Sequence, residues 1–382
     1  MANDKDFKIK NGLQVGGNVI EAVGTISGQT LDLSTGNVFS YTPAADTTFV
    51  FSNPPASGTA YGMTLKVTGA DVGTPYDLAN ASYDSVSFSV ATQDTLPTDL
   101  FFKPDGTKMY VTGGAGQDIN EYDLSSAWDA STASYVQNFS VSSQDTVPTQ
   151  VFFKPDGIKM YMIGRSNQGI FEYDLSSAWD VSTASYLQSF SVSSQGTRPQ
   201  SLFFRPDGTN VYITGDSSDA VHEYSLSSAW DISSASYVQT FSVSAQETNP
   251  QGLFFKSDGT KMYVIGSSGD DVNEYSLSSA WDISTASYVR NFSVSAQETN
   301  PQGVFFKSDG TKMYVVGWSN STVYQYTTGF IGDATFTYPT SVDWPGGTAP
   351  DAPADGETDT LEFLTLDGGT VYYGRLTGNS YS

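Results

Sequence analysis

Residues 100–124 read LFFKPDGTKMYVTGGAGQDINEYDL, and closely similar stretches follow four more times along the chain. The Phe-Phe pair returns every 51 residues, an Asp-Gly pair follows each one in register, and a Tyr, a Trp and a Phe-Ser-Val triplet complete most units. The five pairs begin at Phe101, Phe152, Phe203, Phe254 and Phe305. Self-similarity at a fixed period of this length predicts a repeat architecture.

Each unit contains four segments with the composition of short β-strands, separated by turn residues. In the first unit they are Leu100–Lys103, Lys108–Thr112, Ile119–Leu124 and Tyr135–Val141. Pro104-Asp105-Gly106 predicts a tight turn between the first two, because proline presets φ and glycine accepts positive φ. Four-stranded units predict a β-propeller with the Phe-Phe strand innermost. A linear β-solenoid is the alternative, although its repeats are usually shorter.

The two ends of the repeat array predict how the ring closes. An outer-strand sequence, SVSFSV at Ser85–Val90, precedes the first Phe-Phe pair, whereas none follows the last repeated tyrosine, Tyr326. Each of the five inner hairpins therefore has an outer strand only if the strand that precedes the repeats completes the last blade. The sequence predicts an all-β, five-bladed propeller that is closed by its N-terminal strand.

Composition and charge limit the partners of the chain. Its 382 residues include 41 Asp and Glu against 17 Lys and Arg, a net charge of −24, which disfavours nucleic acid because phosphate contacts need clustered basic residues. The chain lacks a long apolar run and an apolar signal core near its start, so we expect neither membrane insertion nor conventional secretion. The absence of cysteine excludes disulfides and Cys-based metal sites.

The regions outside the repeats are β-rich and do not repeat. A closed propeller brings its ends together and can be inserted into another domain. We therefore predict an N-terminal particle-attachment segment at 1–30, a discontinuous β-sandwich-like domain at 31–75 plus 330–382, and the propeller at 76–329.

Three flanking stretches resemble phage tail-fibre and related virion structural proteins, particularly those of marine phages. They are DFKIKNGLQVGGNVI at 6–20, the stretch from LDLSTGNVFSY to GMTLKVTG at 31–69, and the stretch from YPTSVDWPGG to TVYYGRLTG at 338–378. The resemblance implies a virion location after assembly in the host cytoplasm, a homotrimer, attachment to other virion proteins through the N-terminal segment, and a host surface glycan or protein as ligand. It implies no catalytic residue, cofactor or metal.

Two other functions compete with a host-recognising appendage. One is a capsid decoration or knob protein with a purely structural role. The other is a glycan-cleaving enzyme, which the sequence disfavours because the predicted inner strands begin with one carboxylate, Asp99, where paired-carboxylate hydrolysis needs two. The single histidine, His222, lies in a predicted third strand with no evident triad, so we expect an ordinary half-buried residue.

The repeated acids are expected to be structural. A set in the third strands, Glu121, Glu172, Glu223 and Glu274 with Gln325 in the fifth unit, is expected to bond neighbouring backbone or lysine, with an ion-binding ring as the alternative. The turn aspartates are expected to form turns, and the aspartates after each Trp to cap loops.

The loops between second and third strands vary while their flanks do not, and a rigid scaffold places recognition in such loops. They read GGAGQD, GRSNQG, GDSSDA, GSSGDD and GWSNST. Candidate ligand contacts are Arg165, Asn167, Asp216, Asp270, Trp318 and Asn320. The alternative is that these loops vary because they tolerate change.

Overall fold

The computed structural model describes residues 23–381 apart from 27, 44–46, 70, 74, 197 and 355. The chain forms two compact units. One unit is continuous, Thr74–Phe330, and the other combines the segment up to Gly73 with the segment from Ile331. Of the predicted attachment segment 1–30, the first 22 residues lie outside the described residues.

The continuous unit confirms the predicted five-bladed β-propeller, because it consists of five four-stranded antiparallel sheets. We number the blades by their inner strands, which are Pro97–Phe102, Pro148–Phe153, Pro199–Phe204, Pro250–Phe255 and Pro301–Phe306. The second strands are Lys108–Gly113, Lys159–Gly164, Asn210–Gly215, Lys261–Gly266 and Lys312–Gly317. The third strands are Asp118–Leu124, Gly169–Leu175, Ala220–Leu226, Asp271–Leu277 and Thr322–Thr327. The outer strands of blades 1 to 4 are Ala133–Ser140, Ala184–Ser191, Ala235–Ser242 and Ala286–Ser293.

The ring closes as predicted, through an outer strand that precedes all the others. Ser82–Ser89 pairs antiparallel with the third strand of blade 5, with Phe88 opposite Val323. The strand begins three residues before the predicted Ser85 and ends one residue before Val90. Blade 5 is therefore built from both ends of the propeller unit.

The propeller axis is filled by aromatic rings. The first phenylalanine of each Phe-Phe pair contacts its counterparts in both neighbouring blades, with ring centroids 5.2–5.6 Å apart around the circle. The cavity beside these rings measures about 10 Å³, which is close to the minimum for one water molecule. Apolar side chains thus block the axis at this level.

At the end of the inner strands that carries these phenylalanines, each Asp-Gly turn packs against an aromatic ring. Gly157 has φ +75°, and a Cβ on it would collide with the indole of Trp179. The tryptophan carbonyl accepts a hydrogen bond of 2.6 Å from Tyr110 of the preceding blade, which links the two blades. Four 3-10 turns follow the tryptophans, each capped by the preceding Asp as expected: Ala130–Thr132, Val181–Thr183, Ile232–Ser234 and Ile283–Thr285.

Blade 5 lacks the repeated tryptophan, and Tyr76 takes its place. The Tyr76 amide donates to the Gly310 carbonyl at 2.8 Å, as the Trp179 amide does to Gly157 at 3.0 Å. Tyr76 also has positive φ, like the four tryptophans. Tyr76-Asp77 is thus a diverged copy of the Trp-Asp pair, displaced to the start of the propeller.

The second unit is also built of β-strands. Its six-stranded sheet runs, in spatial order, through Val23–Thr25, Val38–Tyr41, Tyr61–Thr68, Thr358–Thr365, Tyr372–Tyr381 and Val342–Asp343. The short strands pair as Thr30–Asp32 with Val50–Ser52, Thr47–Thr48 with Phe336–Thr337, and Asp71–Gly73 with Phe330–Asp333. A 3-10 turn occupies Pro345–Gly347. Leu65, Phe39 and Phe363 are among the buried side chains of its core.

Candidate functional site

The face of the propeller that carries the variable loops, which we call the loop face, contains a buried carboxylate in four of the five blades. In blade 2, Asp145 accepts hydrogen bonds from the amides of Val147, Ser166 and Asn167 at 2.7, 3.2 and 2.8 Å. The corresponding side chains in blades 1, 4 and 5 are Asp94, Glu247 and Glu298. The sequence did not indicate them as a set, because they lie outside the variable loops and the five blades have Asp, Asp, Gly, Glu and Glu at this position.

Blade 3 has Gly196 where the other blades have this carboxylate. The surrounding turn keeps its form, since the Gly196 amide donates to the Val192 carbonyl at 3.3 Å, as Asp145 does to Val141 at 3.1 Å. A cavity of about 10 Å³ lies here, and its lining includes Gly196, Ser218 and His222. We call it the Gly196 cavity.

A second set of polar side chains differs beside this cavity. In blade 1, Asp118 accepts from the amide groups of Asn120 and Asn138, and blade 4 has the same arrangement around Asp271. The equivalent residues of blade 3 are Ala220, His222 and Thr240. Blade 3 therefore lacks both of the carboxylates found in blades 1 and 4.

His222 is placed in the third strand as expected, but it is more buried than predicted and has two hydroxyl partners. Its Nε2 lies 3.0 Å from Ser218 Oγ, and its Nδ1 contacts Thr240 Oγ1. Burial lowers the pKa of the imidazole below its ordinary value, which favours the neutral form. The sequence showed no partner because Ser218 lies in a variable loop and Thr240 in another strand.

Two of the predicted contacts, Arg165 and Asp216, meet between blades 2 and 3. One oxygen of Asp216, Oδ2, lies 3.3 Å from the Arg165 guanidinium, 3.0 Å from that of Arg198 and 2.9 Å from Gln200 Nε2. Arg165 also donates to Gln200 Oε1 at 3.0 Å. Burial is the main cause that lowers the pKa of Arg165, and Asp216 opposes it. Arg198 was not predicted, because it stands outside the variable loop.

The other candidates do not join this cluster. Asn167 and Asn320 use their side-chain amides to bond the backbone carbonyls of Gln144 and Gln297, so their side chains brace the loop. Asp270 lies among acids: burial, then Glu247, Asp271 and Glu298, raise the pKa of its carboxyl. Trp318 is half-buried with its indole nitrogen inside the protein. On this face, Arg165 and Arg198 thus lie at blades 2 and 3 together with Asp145, Asp216 and Asp219, whereas Asp270 lies among the acids of blades 4 and 5.

The repeated glutamates have structural roles, as expected. Glu121 lies 2.6 Å from Lys108 Nζ and accepts from the amide of Val181 in the next blade at 3.2 Å. Asp99 is fully buried, and burial raises the pKa of its carboxyl well above the usual value, with the amides of Leu100 and Val151 opposing only in part. Asp99 is the third residue of its inner strand. It is the one acid at this position, where the five blades have Asp99, Gln150, Ser201, Gly252 and Gly303.

Among the described residues, no group of three or more His, Asp or Glu side chains is placed to hold a metal ion. None of the helical segments described here has the length and apolar character needed to cross a membrane. A groove of about 560 Å³ lies in the second unit, where Tyr373, Leu364 and the ion pair Arg375–Glu362 are among its lining residues.

Comparison with known proteins gives neither a matching family model nor a matching curated protein. A putative 6-phosphogluconolactonase from Bacteroides uniformis is 14% identical over 61% of this chain and 71% of its own, with a TM-score of 0.38. A periplasmic gluconolactonase from Pseudomonas aeruginosa is 17% identical over 61% and 70%, with a TM-score of 0.37. A luciferin-regenerating enzyme is 12% identical over 66% and 97%, with a TM-score of 0.41.

These comparisons contradict the prediction of a non-catalytic phage virion protein. The three solved structures just named are described as enzymes, two of them as lactonases, and no finding points to a tail fibre or another virion protein. The predicted function and the predicted absence of catalysis were therefore wrong. At these identities the likeness is one of fold, so the ligand has to be argued from the residues of this chain.

Proposed function

We propose that the loop face of blades 2 and 3 binds a small anionic molecule, such as a sugar acid. The carrying observation is that Arg165 and Arg198 share a single carboxylate, Asp216. Asp216 can neutralise only one of these two guanidinium groups, so two cations compete for one carboxylate at this place. The chain as a whole has a net charge of −24.

The ion pairs of other basic side chains differ from the arrangement at Asp216. Lys108 is bonded by two carboxylates, Glu121 and Asp123, at 2.6 Å each. Lys312 faces Asp84 at 2.7 Å, and Arg375 faces Glu362 at 2.5 Å. Each of those cations has a carboxylate of its own, whereas Arg198 shares Asp216 with Arg165 and its side chain is 57% exposed, so it can reach a second anion. A partly desolvated guanidinium such as Arg165 gains more from that anion than an exposed one.

Titration calorimetry with D-gluconate, D-galacturonate and 6-phosphogluconate tests the proposal. Charge-assisted hydrogen bonds are worth about 1.5–3 kcal/mol, so Arg198→Gln should weaken binding by about tenfold or more. Lys312→Gln, which removes a paired cation in another blade, is the matched control and should leave affinity unchanged. Equal affinity of the wild type and Arg198→Gln, or no binding of any of the three anions, would refute the proposal.

Hydrolysis of a bound ester or lactone is the second candidate. It is favoured by the chain of contacts Ser218–His222–Thr240, in which Thr240 Oγ1 can accept a hydrogen bond from Nδ1–H, and Nε2 can then accept one from the Ser218 hydroxyl. Ser218 Oγ would attack the acyl carbon, His222 would take the hydroxyl proton and return it to the leaving alkoxide, and water would release the acyl group.

Release of acid from δ-gluconolactone, measured above the spontaneous rate in a pH-stat, tests this second candidate. Ser218→Ala should abolish the enzymatic rate. His222→Asn should do the same, and it introduces the residue that blades 1 and 4 carry as Asn120 and Asn273. Asn120→His in blade 1 is the matched control, because it adds a histidine with no facing serine and should not change the rate. A rate that survives Ser218→Ala would exclude this mechanism.

Several predictions that followed from the virion resemblance are tested by neither the structure nor the comparisons. They concern attachment through segment 1–30, a homotrimer and the location in a virion. They stay predictions and do not enter the proposal for the loop face.

A further inference from the structure

We infer that the groove of the second unit binds the ring of an uncharged sugar. The groove measures about 560 Å³, and small-molecule sites usually measure about 300–1,000 Å³. Most of its lining comes from three neighbouring strands, Tyr61–Thr68, Thr358–Thr365 and Tyr372–Tyr381. The groove lies within the second unit, so the inference goes beyond the anion site proposed for the loop face and does not rest on it.

One row of lining residues gives the groove an apolar surface. Leu364 pairs with Gly62 in one neighbouring strand and with Tyr373 in the other. Leu364 and Tyr373 are 45% and 53% exposed, whereas Phe363 and Tyr372, which precede them, are buried. Since successive side chains of a strand point to opposite faces, this row stands on the outward face of the sheet. A tyrosine ring there offers a flat surface on which the C–H face of a sugar can stack.

A second row, two residues along the strands, is polar. Glu362 pairs with Thr64 on one side and with Arg375 on the other. Arg375 donates to Glu362 Oε2 through Nε and Nη2, at 2.9 and 2.5 Å, so the ion pair does not itself use Glu362 Oε1 or Arg375 Nη1. The side chains of Arg375 and Glu362 are 67% and 40% exposed, and a ligand can reach both. An acceptor and a donor on one ion pair can bond neighbouring hydroxyls of a sugar, because each hydroxyl both donates and accepts.

The charge of the groove favours an uncharged ligand. Glu362 and Arg375 are the charged residues in its described lining, and each compensates the other. At the loop face, in contrast, Arg165 and Arg198 share one carboxylate. An anion in the groove would have to compete with Glu362 for the arginine, whereas a neutral ring leaves the ion pair intact.

Gly62 is a separate observation that points to a ligand. Glycine weakens a strand, and there it often marks a bulge, a bend, or the close approach of a ligand or another backbone. The pairing with Thr358–Thr365 is regular through Gly62, and Gly62 is not among the glycines with positive φ. A Cβ on Gly62 would lie 3.9 Å from the Phe363 carbonyl and within 4 Å of no other described group outside its chain neighbours. Neither the backbone nor the packing therefore requires glycine here, which leaves an approach from the groove.

Saturation-transfer NMR of the full chain tests the inference, with D-glucose, D-galactose, D-mannose and N-acetyl-D-glucosamine as probes. At least one of them should receive saturation on its ring C–H protons. Tyr373→Ala should weaken that binding by about tenfold, because the stacking surface is lost. Gly62→Val should abolish it, because the new side chain projects into the groove. Tyr135→Ala, which removes an exposed tyrosine from an outer propeller strand, is the matched control and should leave the binding unchanged.

Denaturant unfolding separates a filled groove from a damaged fold. Valine suits a strand better than glycine, so Gly62→Val should unfold at a denaturant concentration no lower than that of the wild type. If it unfolds earlier, Tyr373→Ala decides alone. Arg198→Gln should keep the sugar signal, so failure of the anion site and failure of this inference give different results.

Three results would overturn the inference. The first is that none of the four sugars binds the wild type. The second is that a folded Gly62→Val, or Tyr373→Ala, binds as the wild type does. The third is light scattering that shows a dimer of the wild type and a monomer of Gly62→Val, because the groove would then belong to a second copy of the chain.

Discussion

Blades 3 and 4 have the same four strands and the same strand pairing, but they differ at the loop face. Blade 4 has Glu247 and Asp271, and both accept hydrogen bonds from groups of their own blade. The positions of these two acids in blade 3 are Gly196 and Ala220, and His222 lines the small cavity beside Gly196. Blade 4 thus satisfies these donors with its own carboxylates, whereas blade 3 has neither acid.

The comparison shows how blades of one repeat come to differ. The carboxylate accepts hydrogen bonds from backbone amides of its blade in blades 1, 2, 4 and 5, and blade 3 has glycine at this position. The asymmetry among repeats, and not their shared residues, therefore indicates where to look for function.

The largest expected effect concerns the Asp-Gly turns, where blades 3 and 4 are alike. Gly208 in blade 3 and Gly259 in blade 4 both have positive φ, and a Cβ on either would collide with the tryptophan of its blade. Gly208→Ala and Gly259→Ala should each reduce the free energy of unfolding by about 2–4 kcal/mol, from backbone strain and overpacking. Denaturant unfolding measures both. A much smaller loss for Gly208→Ala would mean that blade 3 differs throughout.

An intermediate effect is expected from making blade 4 resemble blade 3. Glu247→Gly removes the acceptor of three amides, and unsatisfied buried donors cost about 1–3 kcal/mol, so we expect a loss of about 2 kcal/mol in the free energy of unfolding. Glu247→Gln retains an acceptor oxygen and should lose less. If Glu247→Gly unfolds at the same denaturant concentration as the wild type, the carboxylate is not a structural ligand in blade 4.

The smallest expected effect concerns pH. Burial lowers the pKa of His222 below 6.5, so in the interval between the folded and unfolded pKa the unfolded chain binds a proton that the folded chain does not. Stability should therefore fall as the pH decreases from about 6.5. Urea unfolding at pH 7.5 and pH 5.5 should show a larger loss for the wild type than for His222→Asn. Equal losses in the two proteins would show that His222 does not titrate differently on folding.

Much of the fold could be predicted from the sequence. The 51-residue period, the Pro-Asp-Gly turn and the single outer strand before the first Phe-Phe pair led to a closed five-bladed propeller, because strand number and turn chemistry are local properties. The role of Tyr76 was not predicted, since one aromatic ring replaced another at a shifted position. The virion function was inferred from the flanks, and the comparisons contradicted it.

The site was predictable only in part. The variable loops directed attention to Arg165 and Asp216, and these two residues do lie together. Their shared partners Arg198 and Gln200 stand in a connection and an inner strand, so only the ring geometry of adjacent blades brings them within hydrogen-bonding distance. By itself the sequence determined the repeat, the closure and the loop face, because periodicity and turns are encoded locally. The tertiary structure decided that Gly196 lies beside a small cavity with Ser218 and His222, because these residues are distant along the chain and only the packing of blade 3 brings them together.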